Sequence, residues 1–218
     1  MVQHNLYLDD TYLTELDTEI VASDGRTWAA TRDNIFHPQG GGQPADRAWL
    51  GEQEVRPVKD HDSGLVVVDG AFAVGRRVRA RVDRDLRLLH AALHTAGHLV
   101  EAAGRAEGWT MAASNHFPGQ AKVEFALVEA AAPESLQEFV DRAIADDLKV
   151  AADLSGDGHR IVRLGDLHAA PCGGTHVGSL GDLAGVRITA VKARKGRTRV
   201  SYTAAHAYTA AHASPETS

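Results

Sequence analysis

Leu88-Leu89-His90-Ala91-Ala92-Leu93-His94-Thr95-Ala96-Gly97-His98-Leu99-Val100-Glu101 reads as one helix, and its histidines at positions 94 and 98 decide how the rest of the chain is read. A spacing of four sets both imidazoles on one helical face, about 5–6 Å apart at Cβ, so two nitrogens can converge on one ion. His90 and His94 share that spacing, and with 12 histidines in the chain a chance pair is expected. A second group changes the reading. Pro171-Cys172-Gly173-Gly174-Thr175-His176 holds the single cysteine and a histidine at the same interval, across two glycines that predict a turn rather than a helix. Two imidazoles on a rigid helix, plus a thiolate and an imidazole from a glycine turn, form the donor set of a tetrahedral Zn2+ site: His94, His98, Cys172 and His176. Four protein ligands mark a closed structural site, and three with a water mark a catalytic one; the residues allow both.

Outward from the helix, the preceding run from Arg76 to Arg87 is rich in arginine and alternates through Arg81, which predicts a strand with its arginines on one face. Such a face is either simply solvated or contacts phosphate. Before it, short alternating runs such as Thr27-Trp28-Ala29-Ala30-Thr31, Ala48-Trp49-Leu50 and Leu65-Val66-Val67-Val68 predict a small β-barrel-like unit. Within it lies His37-Pro38-Gln39-Gly40-Gly41-Gly42-Gln43-Pro44-Ala45-Asp46, where three glycines let backbone amides approach another surface or simply form a loop. After the helix, Ser114-Asn115-His116-Phe117-Pro118-Gly119-Gln120 reads as a turn feeding a strand over residues 121–127. Residues 133–152 carry Leu136, Phe139, Val140, Ala143, Ile144 and Leu148 at helical spacing, predicting an amphipathic core helix. Residues 160–164, 185–191 and 198–202 read as strands, the last two paired. Between that pair Lys192, Arg194, Lys195 and Arg197 form a basic hairpin, the best local candidate for a nucleic-acid backbone contact.

The fold class expected is α+β: an N-terminal β-barrel-like domain over residues 1–85, an α+β domain with an antiparallel sheet and the metal-site helix over 86–208, and a frayed tail over 209–218. The chain has 218 residues, 44% hydrophobic and 24% charged, in the range of a soluble globular protein. A net charge of -6 gives no global attraction to nucleic acid, so a polyanion must be met locally. One cysteine excludes an internal disulfide, no signal-like start is present, and no apolar run approaches the ~20 residues of a membrane span; a cytoplasmic location and no membrane partner are expected. A zinc peptidase is excluded because Thr95, not glutamate, follows His94, and a zinc deaminase because no Pro-Cys-x-x-Cys occurs.

The Gly-Gly-Gly-Gln-Pro-x-Asp motif, the His-Thr-Ala-x-His helix and the Cys-Gly-Gly-Thr-His-Val turn, in this order, resemble the freestanding alanyl-tRNA editing proteins called AlaX, in their medium-length form. They are similar also to the editing domains of alanyl- and threonyl-tRNA synthetases. The resemblance covers about residues 36–202. It implies hydrolysis of the ester between a wrong amino acid and tRNA, with seryl- or glycyl-tRNA(Ala) as default substrate. It implies zinc ligands His94, His98, Cys172 and His176, with catalytic roles for His94, His98 and Gln43, and substrate contacts from Gly40, Gly41, Gly42 and Gln43. From their places beside the ligands, Thr95 is a further catalytic candidate and Gly97 and Thr175 are candidate substrate contacts, Gly97 opening space either for a neighbour or for a bulkier substrate side chain. With tRNA as the implied substrate, the basic hairpin of Lys192, Arg194, Lys195 and Arg197 becomes the expected tRNA contact. Thr95 and Thr175 either position a hydroxyl or water, or make local bonds. Three departures bear on the amino acid rather than the reaction: Arg47-Ala48 after Asp46, Gly97 inside the helix, and the stretch Ser114-Asn115-His116-Phe117. A deacylase for a threonine-like or non-protein aminoacyl-tRNA, such as fluorothreonyl-tRNA(Thr), and a non-catalytic zinc-containing tRNA-binding module are the other readings.

Overall fold

Short apolar runs punctuated by turn residues form strands in both parts of the chain, and helical periodicity is confined to the second part. The computed structural model describes residues 2–126, 128 and 133–212, with Arg194 described by its backbone alone. It is a mixed α/β structure, mostly sheet, and the chain divides into two units, one ending at Arg87 and the other beginning at Leu88. Among the described residues no helix is long and apolar enough to cross a membrane.

In the first unit β1 (His4–Asn5) pairs in parallel with β4 (Asp33–Asn34) beside a short 3-10 helix, Leu6–Leu8. The remaining strands are β2 (Glu15–Ser23), β3 (Trp28–Thr31), β5 (Ala48–Leu50), β6 (Gln53–Val55), β7 (Pro57–Lys59), β8 (Val66–Asp69) and β9 (Arg77–Val82). They form one seven-stranded antiparallel sheet in the order β6-β5-β9-β2-β3-β8-β7. Its two end strands are joined in the chain through Arg56 alone, so the sheet curls into a nearly closed barrel. Ile20, Ala29, Leu50, Val55, Val66, Val68 and Ala80 fill its core. β9 alternates strictly: Val78, Ala80 and Val82 are buried while Arg77, Arg79 and Arg81 face out. Arg79 pairs with Glu15 at 2.8 Å, and the Arg81 guanidinium lies over the Trp49 ring at 4.2 Å. This part of the arginine run is therefore the charged face of a strand, bonded to its own neighbours.

The second unit contains α1 (Arg84–Ala106) from Leu88 onward, α2 (Pro133–Ala145) and α3 (Ala207–His212). One antiparallel sheet orders as β10 (Met111–Asn115), β11 (Lys122–Ala126), β16 (Arg197–His206) and β15 (Leu183–Arg194). A second contains β12 (Val150–Leu154), β13 (Arg160–Leu164) and β14 (His168–Pro171). Ala92, Ala96, Leu99 and Ala103 of α1 join Val123, Phe125 and Val200 of the larger sheet and Leu136 and Val140 of α2 in one core.

Four sequence readings change. α1 begins at Arg84, before the apolar stretch, because the Asp83 carboxylate accepts the Leu86 N–H at 3.1 Å and caps it. α2 stops at Ala145 instead of running to residue 152: Asp147 has φ +46, outside helical space, and its carboxylate accepts the Gly181 N–H at 2.7 Å. Val150 then enters a strand, where tertiary pairing overrides the helical spacing of Leu148. Ser114 and Asn115 belong to β10, and the turn is confined to Phe117–Gln120, closed by a Gln120 N–H to Phe117 carbonyl bond of 2.9 Å. Residues 207–212, placed in or beside the frayed tail, are helical; residues 213–218 and the strand-end Leu127 lie outside the described residues.

Candidate metal centre

The His94/His98 pair and the Cys172/His176 pair meet. One donor atom from each of the four residues lies within 4.8 Å of the others. Cys172 Sγ is 3.5 Å from His94 Nε2 and 3.2 Å from His176 Nε2. Those separations are close to the ~3.3–3.8 Å edges of a tetrahedron built on zinc–nitrogen and zinc–sulfur bonds. The His94 and His98 rings stack with centroids 5.2 Å apart and planes 10° from parallel, as successive turns of one helix dictate.

The His176 and His98 imidazoles each have a partner behind them, met through Nδ1. His176 Nδ1 is 3.0 Å from Thr95 Oγ1, which also accepts the Val177 N–H at 3.2 Å. With Nδ1–H donated to that oxygen, Nε2 keeps its lone pair towards the cluster. Thr95 Oγ1 therefore bonds across the two segments and not locally within its helix. His98 Nδ1 faces His168 Nε2 at 3.1 Å, with Glu101 3.9 and 3.7 Å from the two nitrogens. His98 Nε2 is buried with no hydrogen-bond partner among the described residues. A buried orphan of this kind is costly unless something binds it, and a cation held by the other three donors satisfies it. The four residues thus fit a metal ion.

The glycine turn is held by a residue the sequence reading passed over. Arg160, in β13, donates to the carbonyls of Cys172 (2.8 Å) and Gly174 (3.1 Å), while Cys172 N–H returns a 3.0 Å bond to the Arg160 carbonyl. Burial raises the Cys172 thiol above its ordinary value, opposed by the Gly174 N–H and the Arg160 charge. Burial lowers His98 to about 3, helped by His168 and His116, and lowers His116 and His168 to about 4, so all three imidazoles are neutral near pH 7, the form that binds metals. His116 belongs to the stretch that bears on the amino acid, but has no role of its own in the sequence reading. Its ring stacks on His94 with centroids 4.4 Å apart, and its Nδ1 is 2.7 Å from the Tyr202 hydroxyl. The room left by Gly97 is taken by His116 and Tyr202. Gly97, itself odd in a helix, and the departing stretch Ser114-Asn115-His116-Phe117 were the signals that pointed to them. Thr175 is fully buried.

In the first unit, Gly40 and Gln43 bond each other's backbones at 3.1 and 2.9 Å, with φ +56 at Gly41 and +78 at Gly42. Two successive left-handed residues make a type I′ turn that favours glycine at both positions. Gln43 is buried, whereas Gly40 and Gly41 are exposed. The loop is anchored by Asp46, which accepts the His37 N–H at 2.6 Å and pairs through both oxygens with the fully buried Arg87. Arg87 donates further to the carbonyls of Thr11 (3.1 Å) and Ile35 (2.6 Å).

At the basic hairpin, Lys195 and Gly196 take left-handed φ values of +50 and +72, and Lys192 is exposed. Glu124 draws in Lys122 (2.8 Å), Arg199 (3.0 Å) and Arg197 (3.2 Å). An open hollow of about 370 Å3 is lined by Glu124, Lys195, Arg197 and Arg199. The Arg194 side chain lies outside the described set.

Residues 159–201 match the threonyl and alanyl tRNA synthetase second additional domain, a span that contains Cys172 and His176. The chain is 32% identical over 188 residues to alanine–tRNA ligase from a Nocardioides species, covering 70% of this chain and 21% of the ligase. It is 32% identical over 197 residues to the same enzyme from Frankia alni, covering 75% and 22%. It thus spans about a fifth of the length of these ligases. Along most of its length it is similar to the alanyl-tRNA editing protein AlaX-M of Pyrococcus horikoshii, 28% identical over 198 residues that cover 84% of this chain and 88% of the other.

Proposed function

We propose that the protein is an aminoacyl-tRNA deacylase that hydrolyses the ester of mischarged tRNA in trans, with zinc held by His94, His98, Cys172 and His176. The observation that carries this reading is the convergence of those four side chains in a chain similar to AlaX-M over 88% of the latter's length. When bound, zinc supplies positive charge that polarises the ester or orders the substrate beside it. An aminoacyl ester is already activated, so positioning and an oriented water suffice without a protein nucleophile. Thr95, His168 and Glu101 orient ligand imidazoles, and Arg160 shapes the turn that presents Cys172. Gly40, Gly41, Gly42 and Gln43 retain the substrate-contact role that the resemblance implies, Thr175 that of a candidate contact, and Lys192, Arg194, Lys195 and Arg197 the contact with the tRNA backbone. Seryl- and glycyl-tRNA(Ala) are the default substrates.

The test is a deacylation panel of seryl-, glycyl-, alanyl- and threonyl-tRNA with the zinc-loaded protein, the chelated protein and His98→Ala, with circular dichroism run on each. Loss of ester by the loaded protein alone, with the fold retained in the other two, is expected. Binding of tRNA with no ester loss for any member would leave a binding module with structural zinc.

A further inference from the structure

We propose that His116 selects the aminoacyl group: its Nε2 accepts a hydrogen bond from a hydroxyl on the substrate's β-carbon. The inference rests on the deacylase reading and names the residue that would give that site its preference.

The argument starts from proton counting. Tyr202 has one hydroxyl proton, and the hydroxyl donates it to the Leu93 carbonyl at 2.9 Å. Its oxygen can therefore only accept from His116 Nδ1, 2.7 Å away. The His116 proton is thus fixed on Nδ1 and the lone pair on Nε2, which makes Nε2 an acceptor. The ring lies against His94, centroids 4.4 Å apart and planes 22° from parallel, and its centroid is 6.4 Å from that of His98. An acceptor of defined tautomer is therefore held beside two of the four candidate metal ligands.

The backbone makes room for it at a cost. A Cβ on Gly97 would fall 2.3 Å from His116 Cε1, 2.4 Å from its Nδ1 and 2.6 Å from the Tyr202 oxygen. Glycine within a helix is unfavourable against alanine. The Tyr202 bond accounts for Nδ1 and leaves Nε2 as an acceptor that the packing does not use. Seryl and threonyl groups bring a neutral donor to a neutral acceptor, which alanyl and glycyl groups lack, so among the esters the site accepts those with a β-hydroxyl are favoured.

The test compares kcat/KM for seryl- and glycyl-tRNA in the zinc-loaded wild-type protein, His116→Phe, Gly97→Ala and the double variant, with metal content and circular dichroism measured on each. His116→Phe keeps the stacking surface and removes the acceptor; it should lower the seryl-to-glycyl ratio by about tenfold or more. Gly97→Ala, which evicts the ring, should lower the same ratio, and the double variant should go no lower than His116→Phe. Imidazole 15N shifts of the metal-free protein should show His116 protonated on Nδ1. An active wild type whose ratio is unchanged in His116→Phe, an equal fall for both esters, or an Nε2–H tautomer would overturn the proposal. A wild type that hydrolyses no ester in the panel would instead remove the deacylase reading, and this inference with it.

Discussion

Arg87 and Asp46 show how much a single residue can carry unseen. Asp46 is visible in sequence as the end of the glycine motif and Arg87 as the last cation of an arginine run, yet 41 positions separate them. In the fold both are buried and doubly bonded to each other, with Arg87 also capping two carbonyls. Removing one partner leaves an uncompensated charge, so Arg87→Met should destabilise the first unit by about 3–5 kcal/mol, whereas Arg87→Met with Asp46→Leu should recover much of that loss. Chemical denaturation followed by Trp fluorescence measures both. His94, His98, Cys172 and His176 were legible because two pairs at ligand spacing stand out against a single cysteine. His116, His168 and Arg160 were not, since each earns its role by contact with a residue at least 12 positions away.

Among the elements, the β15–β16 hairpin was legible from its density of lysine and arginine, but its charge is not all available. Glu124 of β11 holds Lys122 first, then Arg197 and Arg199, and these contacts push its carboxyl down to about 2. Replacing Lys195 and Arg197 with alanine should weaken tRNA binding and reduce the slope of log affinity against log salt by up to about 2, measured by filter binding across a salt series. An unchanged slope would remove the hairpin from the tRNA contact. Element boundaries followed the same logic. The apolar period of α2 was correct as far as Ala145, but beyond it the pairing of Val150 with Leu164 in β12 and β13 outweighs local propensity.

At the scale of the whole molecule, burial of neutral imidazoles makes acid the weak side of the metal-free protein. His98, His116 and His168 are held near 3, 4 and 4, whereas in the unfolded chain each would return to about 6.5. The unfolded state then binds more protons, so stability should fall as pH drops from 6.5 towards 4, and His116→Phe should flatten that fall. Urea midpoints at pH 7, 6, 5 and 4 check this; a midpoint that rises on acidification would contradict it. Loading with zinc should raise the midpoint at pH 7 and lose that effect as protons compete for the ligands. The sequence by itself determined the strand-rich first part, the central helix and the two ligand pairs, because periodicity, glycine turns and spacing are local properties of the chain. Only the tertiary structure decided that those pairs meet, that Tyr202 sets the tautomer of His116 and that Arg87 neutralises Asp46, because each depends on a distance between residues remote in sequence, which only packing defines.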